Sequence, residues 1–365
     1  MCADALLSGG AVSMVPQLTA VRRKCAVSME MVKMSAAVLC GETSSGVTVA
    51  PSLSWLPDSV LLEVLSFLSV RDLIRSCRVC KRWKRLVLDK SLWRYVDLTP
   101  YKLNSKILWH LVRHWLGTGL QTLKLKGLLN SVKKQEFLTP AILQVLEKRY
   151  LSLEHLHLQE TNLRSLSYDS LPCTLKTLEL SDCEIPLNWV KSSNNKTKGL
   201  LKLENLILNK VSSFSNHHLE AICSQSNLKT LCLCGTYRVN DIGIQKAVPY
   251  LKGLEHLKLK ECNVTDITLH LIGCHLKQLR TLALIDFRYL TDAGLTCLSG
   301  VKTLEKLWLE YCYCFNSSSI IAVCVSLPAL NYLNLNGMFY EGQGIEEIQK
   351  SLPHCTVTVE NLLKK

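Results

Sequence analysis

Leucines recur in one spacing pattern along most of this 365-residue chain. The pattern leucine-x-x-leucine-x-leucine occurs nine times, beginning at Leu120, Leu153, Leu175, Leu203, Leu228, Leu254, Leu279, Leu304 and Leu330. The last five intervals between these starting points are 25 or 26 residues long. A constant period of this length is typical of proteins built from stacked structural repeats.

Each copy of the pattern predicts a short strand followed by a helix. The last two leucines of a copy are two residues apart, so in a strand their side chains point to the same side. Polar pairs at Asn240–Asp241, Thr265–Asp266 and Thr291–Asp292 predict helix starts. Apolar spacing such as Leu219/Ile222 and Leu295/Leu298 predicts one buried helix face. Because one strand–helix unit cannot bury its own apolar face, the copies must stack into a solenoid with parallel strands on its concave face.

The residues that alternate with the buried leucines form outward columns on that concave face. Trp308 and Tyr332 are large aromatics in adjacent copies, and exposed aromatics are typical anchors of protein interfaces. We predict a binding patch that contains Ile285, Trp308, Glu310, Tyr332 and Asn334. The alternative is that Phe339 and Tyr340, or the segment 352–363, fold over this patch and cover it.

A different apolar pattern precedes the repeats. Residues 56–73 read LPDSVLLEVLSFLSVRDL, and residues 78–86 read RVCKRWKRL. The apolar stripe of the first predicted helix is wider than three short helices can bury among themselves. Surplus apolar surface of this kind indicates an interface with another protein.

This segment resembles the F-box, a three-helix module. The resemblance rests on Leu56–Pro57, Asp72–Leu73, Val79–Cys80, Trp83 and Leu92–Trp93. Ser59, Leu65 and Ser69 differ from the residues usual in F-boxes but keep the apolar pattern. Together with the repeats, the segment resembles the F-box/leucine-rich-repeat family.

The resemblance implies an α/β fold: a three-helix F-box followed by a leucine-rich-repeat solenoid, or horseshoe. It also implies the substrate-recognition subunit of an SCF-type (Skp–cullin–F-box) ubiquitin ligase. In such a subunit the F-box docks on the Skp adaptor and, through it, on a cullin, while the repeats bind the protein to be ubiquitinated. The subunit has no catalytic residues and no cofactor; it contributes proximity by holding the substrate near the ubiquitin-charged enzyme.

The resemblance places the Skp-adaptor contact on nine residues. They are Leu56, Pro57, Leu61, Leu62, Val64, Leu65, Val79, Cys80 and Trp83. We expect Leu68, Leu73 and Leu86 to lie in the internal core instead. The patch around Trp308 becomes the predicted substrate-binding site.

Seventeen cysteines are scattered along the chain, and no convincing secretory signal precedes them. We therefore expect reduced thiols in a cytoplasmic or nuclear protein. Cys183, Cys262 and Cys312 each stand three residues past the last leucine of a copy, and we expect buried spacers there.

Two pairs of possible metal ligands stand out, but neither predicts a metal site. Cys77 and Cys80 have C-x-x-C spacing inside a predicted F-box helix, without a second pair. His155 and His157 point the same way from one strand, without a third ligand.

The net charge of +13 is concentrated before the main repeats. Residues 99–150 carry nine basic and two acidic side chains, whereas residues 151–365 carry 21 and 20. Such a bias favours an acidic protein partner, and the near balance of the repeats argues against a nucleic-acid binder. We expect no membrane segment. The remaining alternative is a free-standing leucine-rich-repeat scaffold or inhibitor without a ligase role.

These patterns predict four segments. Residues 1–50 are a flexible leader, 51–98 the F-box, 99–119 a helical junction and 120–365 the solenoid. An apolar strand at Val357 and Val359 is expected to form the C-terminal cap of the solenoid.

Overall fold

The computed structural model describes residues 55–129, 137–190, 202–338 and 342–359. The predicted leader, residues 1–50, lies outside these ranges. The chain divides into one unit that ends at Glu63 and a second that begins at Val64. Of the first unit, residues 55–63 are described, and they include the start of the first helix at Asp58.

Strands and helices alternate through most of the second unit. The strands are β1 Tyr95–Asp97, β2 Thr122–Lys126, β3 His155–Gln159, β4 Thr177–Ser181, β5 Asn205–Asn209, β6 Thr230–Cys234, β7 His256–Lys260, β8 Thr281–Ile285, β9 Lys306–Glu310, β10 Tyr332–Asn334 and β11 Thr356–Thr358. The α-helices of the described ranges are α1 Asp58–Ser66, α2 Val70–Ser76, α3 Lys81–Val87, α4 Ser105–His114, α5 Pro140–Arg149, α6 Asn216–Cys223, α7 Asp241–Ala247, α8 Asp266–His275, α9 Asp292–Thr296, α10 Ser317–Val325 and α11 Gly342–Ser351. Short 3-10 helices cover Lys90–Trp93, Tyr168–Ser170, Val248–Tyr250 and Cys297–Gly300.

The strands form a single parallel sheet in chain order from β1 to β11. The register places equivalent pattern leucines side by side, so that Leu257 pairs with Leu282 and Leu282 with Leu307. These leucine columns are buried, and so are the helix residues Leu219 and Leu295. The core therefore contains the leucine face of the sheet and the apolar helix faces, which confirms the predicted strand–helix repeat.

A left-handed residue directly follows many of the strands. Non-glycine residues with φ between 46° and 59° are Glu160, Asp182, Lys210, Glu261, Asp286 and Tyr311. At each of these residues the chain turns out of its strand, and the backbone amide donates a hydrogen bond to a carbonyl oxygen of the next repeat. The amide of Lys210, for example, donates to the carbonyl oxygen of Cys234 at 2.7 Å.

The polar pairs that predicted helix starts do begin helices. Asn240, Thr265 and Thr291 are the N-cap residues of α7, α8 and α9. The aspartate after each cap also binds the cap of the next repeat: Asp266 accepts from the amide of Thr291 at 2.9 Å and from its hydroxyl at 2.5 Å. Asp241 and Asp292 bind the next cap in the same way. Sequence spacing indicated the caps but not these bonds between repeats.

The sheet begins earlier in the chain than predicted. β1 pairs with β2, and Trp93, Val96 and Leu98 occupy the three pattern positions with buried side chains. Helix α4, expected in a junction, follows β1 as helices follow later strands. At the other end β11 pairs with β10, which confirms the predicted terminal strand at Val357.

The cysteines that follow the strands are structural. The thiols of Cys183 and Cys312 donate to the carbonyl oxygens of Leu158 and Leu284 in the preceding repeats, at 3.2 and 3.5 Å. Burial raises the pKa of Cys183 to about 11 and that of Cys312 to about 12, so both remain protonated thiols. Cys262 is half-buried and bonds in the same way to Leu233.

The sequence suggested that Cys77 and Cys80 lie inside one helix, but they do not. Cys77 is the C-cap of α2, and Cys80 is the N-cap of α3. In the described ranges, no cluster of three or more His, Cys, Asp or Glu side chains is arranged to hold a metal ion. Within those same ranges, no helix combines the length and the apolar character needed to cross a bilayer.

Candidate interaction surfaces

The described part of the first unit exposes apolar surface at its start. Trp55 is 72% exposed, Pro57 is exposed and Leu56 and Leu62 are half-buried. Leu61, which was predicted to contact the adaptor, is buried. Its side chain is therefore not part of the exposed surface that was predicted to contact the adaptor.

The second unit exposes apolar side chains in the segment that resembles an F-box. Val64, Phe67 and Leu68 are exposed, and Val79 is 63% exposed. Leu65 is buried, so its predicted place at the surface is wrong.

Leu73 and Leu86 are buried as predicted, whereas the core position expected for Leu68 is wrong. Helix α1 ends at Ser66, so Phe67 and Leu68 lie in the following turn rather than on a helix face. Phe67 was missed because it does not fit the helical spacing of the stripe. Of the remaining predicted contacts in this unit, Cys80 is exposed and Trp83 is half-buried.

Two local caps hold this segment. Ser69 caps α2: its hydroxyl accepts from the amide of Asp72 at 3.2 Å and donates to the Asp72 carboxylate at 2.7 Å. That hydrogen bond lowers the pKa of Asp72, and the cation of Arg75 acts in the same direction. The sulfur of Cys80 caps α3 by accepting from the amide of Trp83 at 3.4 Å. Ser69, a departure from the usual F-box residue, thus has a capping role of its own.

The predicted patch around Trp308 is largely buried. Trp308 is 8% exposed, and it packs with Ala283 and Ile285, while Tyr311 and Tyr332 lie against this cluster. The Trp308 and Tyr332 rings are 5.2 Å apart. Ala283 lies directly opposite Trp308 in the register and is small, which leaves room for the indole to pack down on the sheet. The prediction that Trp308 is an exposed anchor is therefore wrong.

Two other members of the patch are also less exposed than predicted. Ile285 and Asn334 are buried, whereas Glu310 and Tyr332 are half-buried. The Tyr332 hydroxyl lies 3.1 Å from Oγ1 of Thr358, on the strand that extends the sheet. The proposed covering residues Phe339 and Tyr340 lie outside the described residues, as do residues 360–363.

At the other end of the sheet, a histidine and a carboxylate share this same face. Nδ1 of His157 lies 3.4 Å from Oε2 of Glu179 on the adjacent strand. Burial lowers the pKa of His157, and the nearby carboxylate of Glu179 opposes that shift. His155 and His157 do point to one side of β3, as predicted.

Comparison with known proteins identifies the relatives of this chain. The F-box-like family matches residues 53–99. F-box/LRR-repeat protein 12 from Homo sapiens is 40% identical over 310 residues, which covers 83% of this chain and 94% of the relative. The Bos taurus protein of that name is 40% identical over 316 residues, 85% of this chain and 96% of the relative. This chain belongs to the F-box/LRR-repeat protein 12 family.

A solved structure described as the complex of Rad7 and Elc1 in yeast is also similar. The TM-score is 0.45 and the identity 15%, with 95% of this chain and 98% of the other covered.

The family assignment confirms the F-box and leucine-rich repeats predicted from sequence. The F-box-like match ends at residue 99, so it includes strand β1 at Tyr95–Asp97. The F-box-like segment and the repeat sheet of this family member therefore overlap in sequence.

Proposed function

We propose that this chain is the substrate-recognition subunit of an SCF-type ubiquitin ligase. Its F-box segment binds a Skp-type adaptor, and through it a cullin, while its repeats hold the protein to be ubiquitinated. Proteins of the F-box/LRR family are typically non-catalytic adaptors, and the chemistry is carried out by other subunits. The contribution of this chain is a high effective concentration of substrate near the ubiquitin-charged enzyme.

The observation that carries the proposal is the exposed apolar surface inside the F-box-like match. Val64, Phe67, Leu68 and Val79 all lie within residues 53–99 and are exposed. An apolar set of this size in a short segment is typical of a binding surface. In the second unit we place the adaptor contact on Val64, Phe67, Leu68, Val79, Cys80 and Trp83. In the first unit we place it on Leu56, Pro57 and Leu62.

The cations of α3 support an acidic partner at the same segment. Arg78, Lys81, Lys84 and Arg85 are exposed on or next to this helix. Positive charge at the rim of an apolar surface speeds the encounter with an acidic partner and adds less to affinity than the buried contacts do. Adaptor binding is therefore expected to become slower in high salt.

The test introduces a carboxylate into the exposed apolar surface. The full chain and its Val79→Asp variant are titrated with purified Skp adaptor by calorimetry, and co-elution with a cullin is then measured. Because an interface would bury the new carboxylate without a partner, we expect adaptor affinity to fall by about tenfold or more. Val325→Asp is the matched control, since Val325 is also 63% exposed but lies on α10, far along the sequence from the F-box.

Two results would count against the proposal. Equal adaptor affinity for the parent and Val79→Asp would remove this surface from the interface. A parent chain that binds no Skp adaptor would refute the ligase role and favour the free-standing repeat scaffold.

A further inference from the structure

The side of the sheet that alternates with the buried leucines carries basic side chains on β7 and β9. We call it the outward face. In the register, His256 of β7 lies opposite Thr281 of β8, which lies opposite Lys306 of β9. One step along, Lys258 lies opposite Ala283, which lies opposite Trp308. Two long cationic side chains and a histidine therefore flank the small residues of β8.

Spacing brings these groups within reach of one ligand. Neighbouring strands are about 4.8 Å apart, and alternate residues of a strand are about 6.6 Å apart. The backbones of Lys258 and Lys306 are therefore separated by about 12 Å. Two lysine side chains at this distance can extend toward each other over β8. They can then contact neighbouring acidic residues of one extended segment. We call His256, Lys258 and Lys306 the basic trio. Burial lowers the pKa of His256, so near about pH 7 the positive charge of the trio comes from its two lysines.

The two lysines of this trio are not held by any carboxylate of the described ranges, unlike several other lysines of the repeats. Charges in neighbouring repeats are commonly paired, as Lys176 is with Glu154 at 2.8 Å and Lys229 is with Glu204 at 3.2 Å. Lys258, which is half-buried, and Lys306 form no ion pair with any residue that the structure describes. Both ammonium groups are therefore available to form charge-assisted hydrogen bonds with a bound carboxylate.

The acidic residues close to the trio are already engaged. Glu255 and Glu305, which precede β7 and β9, both pair with Arg280, at 3.8 and 2.5 Å. Lys260, the other cation at this end of β7, pairs with Glu261 at 3.3 Å. These carboxylates are therefore engaged by Arg280 and Lys260 rather than by Lys258 or Lys306.

Apolar surface borders the trio on one side. Trp308 closes over Ala283, and the half-buried Tyr332 lies beside Trp308 on β10. A ligand that reaches both regions needs negative charge together with an apolar side chain. An acidic stretch of polypeptide with a flanking apolar residue meets both requirements.

We propose that His256, Lys258 and Lys306 bind an acidic segment of the protein that this chain recruits. The recruiting role rests on the proposed function, whereas binding of the acidic segment depends only on the repeats. The inference also moves the recognition site from the buried Trp308 to the cations around it, with Tyr332 as the apolar neighbour.

The test uses the immobilised full chain and a random peptide library displayed on phage. We expect the recovered peptides to be enriched in Asp and Glu with a nearby apolar residue. The best peptide is then synthesised, and its affinity is measured for the parent and for the K258E/K306E variant by fluorescence anisotropy. We expect about tenfold or greater weakening in that variant and near-parent affinity in K258R/K306R, which keeps both charges.

A control variant has the same change in total charge. K202E/K252E reverses two exposed lysines outside the strands, and we expect it to bind the peptide within about twofold of the parent. Urea unfolding of each variant shows whether its fold is intact. Recovery of peptides without acidic enrichment, or equal weakening in K258E/K306E and K202E/K252E, would overturn the inference.

Two further measurements separate this inference from its alternatives. Binding of a single-stranded RNA oligonucleotide is measured as well. RNA binding that is tighter than peptide binding, and that K258E/K306E abolishes, would assign the trio to nucleic acid and overturn the inference. Skp-adaptor binding is measured for the same variants and is expected to be unchanged. If the parent does not bind the Skp adaptor, the ligase role is refuted. The inference about the trio still stands in that case, because the peptide measurement does not involve the adaptor.

Discussion

The indole of Trp93 donates a hydrogen bond from Nε1 to the carbonyl oxygen of Val87 at a distance of 2.7 Å. Both side chains are completely buried. Val87 is the last residue of α3, and Trp93 lies just before β1, where it takes the first position of the repeat pattern. The hydrogen bond therefore joins the end of the F-box-like helices to the first repeat of the sheet.

Replacing Trp93 with Phe tests this connection. The Trp93→Phe variant keeps an aromatic ring but leaves the Val87 carbonyl oxygen buried without a donor. We expect the free energy of unfolding to fall by about 1–3 kcal/mol, measured by urea denaturation. Trp55→Phe is the control: Trp55 is largely exposed, and its replacement is expected to change stability by less than about 0.5 kcal/mol. Similar unfolding midpoints for the two variants would show that the hydrogen bond contributes little.

The repeat fold was predictable because one physical requirement recurs with one residue type. The strand at Tyr95–Asp97 escaped because Trp93 and Val96 fill positions that leucine occupies in later copies. Their side chains are apolar and satisfy the same burial, but the arrangement no longer matches a leucine pattern. A search for apolar residues in that register would have found it.

The candidate surfaces were less predictable because exposure depends on neighbouring elements. Alternation along β9 correctly placed Trp308 on the outward face, but its burial depends on the small Ala283 of the adjacent strand. In the same way, helical spacing could not separate the buried Leu65 from the exposed Val64 beside it. The adaptor contacts and the ligand of the repeats stay predictions.

Gly337 provides a test of the turn geometry between repeats. Its φ is +72°, and a Cβ added there would lie 2.3 Å from a ring carbon of Tyr311. Because Tyr311 packs against the Trp308 cluster, the ring has little freedom to move. We expect Gly337→Ala to lower the free energy of unfolding by about 1–3 kcal/mol. Alanine is strained in the left-handed backbone conformation, and its methyl group overpacks against Tyr311.

Gly253→Ala is the matched control, since a Cβ at that position meets nothing within 4 Å. We expect it to be neutral or to stabilise the protein by up to about 1 kcal/mol. Thermal unfolding of both variants provides the comparison. An unchanged melting temperature for Gly337→Ala would show that Tyr311 moves aside at little cost.

Asp266 tests the bonds that link helix starts of successive repeats. Its carboxylate accepts from both the amide and the hydroxyl of Thr291. We expect Asp266→Ala to cost about 1–2 kcal/mol of stability, since it removes both acceptors at a helix start. Asp266→Asn is expected to lose less, because Asn216 already binds the amide of Asn240 in an equivalent way at 3.1 Å. If both variants unfold at the same urea concentration, the charge of Asp266 matters more than its hydrogen bonds.

His218 predicts a loss of stability in mild acid. It is fully buried at the start of α6, where Nδ1 accepts from the amide of Ser215 at 3.1 Å and Nε2 lies 3.0 Å from the carbonyl oxygen of Pro186. This arrangement requires the neutral ring, with the proton on Nε2. Burial lowers the pKa of His218, and the neighbouring His217 and Arg238 act in the same direction.

The sign of the effect follows from the lowered pKa. The unfolded chain takes up the proton near the ordinary histidine pKa of about 6.5, whereas the folded chain resists it until the pH is lower. Stability attributable to His218 is therefore complete above that value and is lost as the pH falls below it. Burial also lowers the pKa of His155, His157 and His256, so the whole protein is expected to weaken in the same range.

The His218→Gln variant separates this residue from the other histidines. Urea unfolding of the parent and the variant is measured at about pH 7.5 and about pH 5.5. We expect the parent to be more stable than the variant at the higher pH, because Gln cannot satisfy both Ser215 and Pro186 as the ring does. Between these two pH values, the difference in free energy of unfolding between parent and variant should shrink. We expect a loss of about 1 kcal/mol if folding lowers the pKa of His218 by one unit. An advantage of equal size at both pH values would show that His218 takes up its proton at the same pH in the folded and unfolded chains, and the linkage argument would fail.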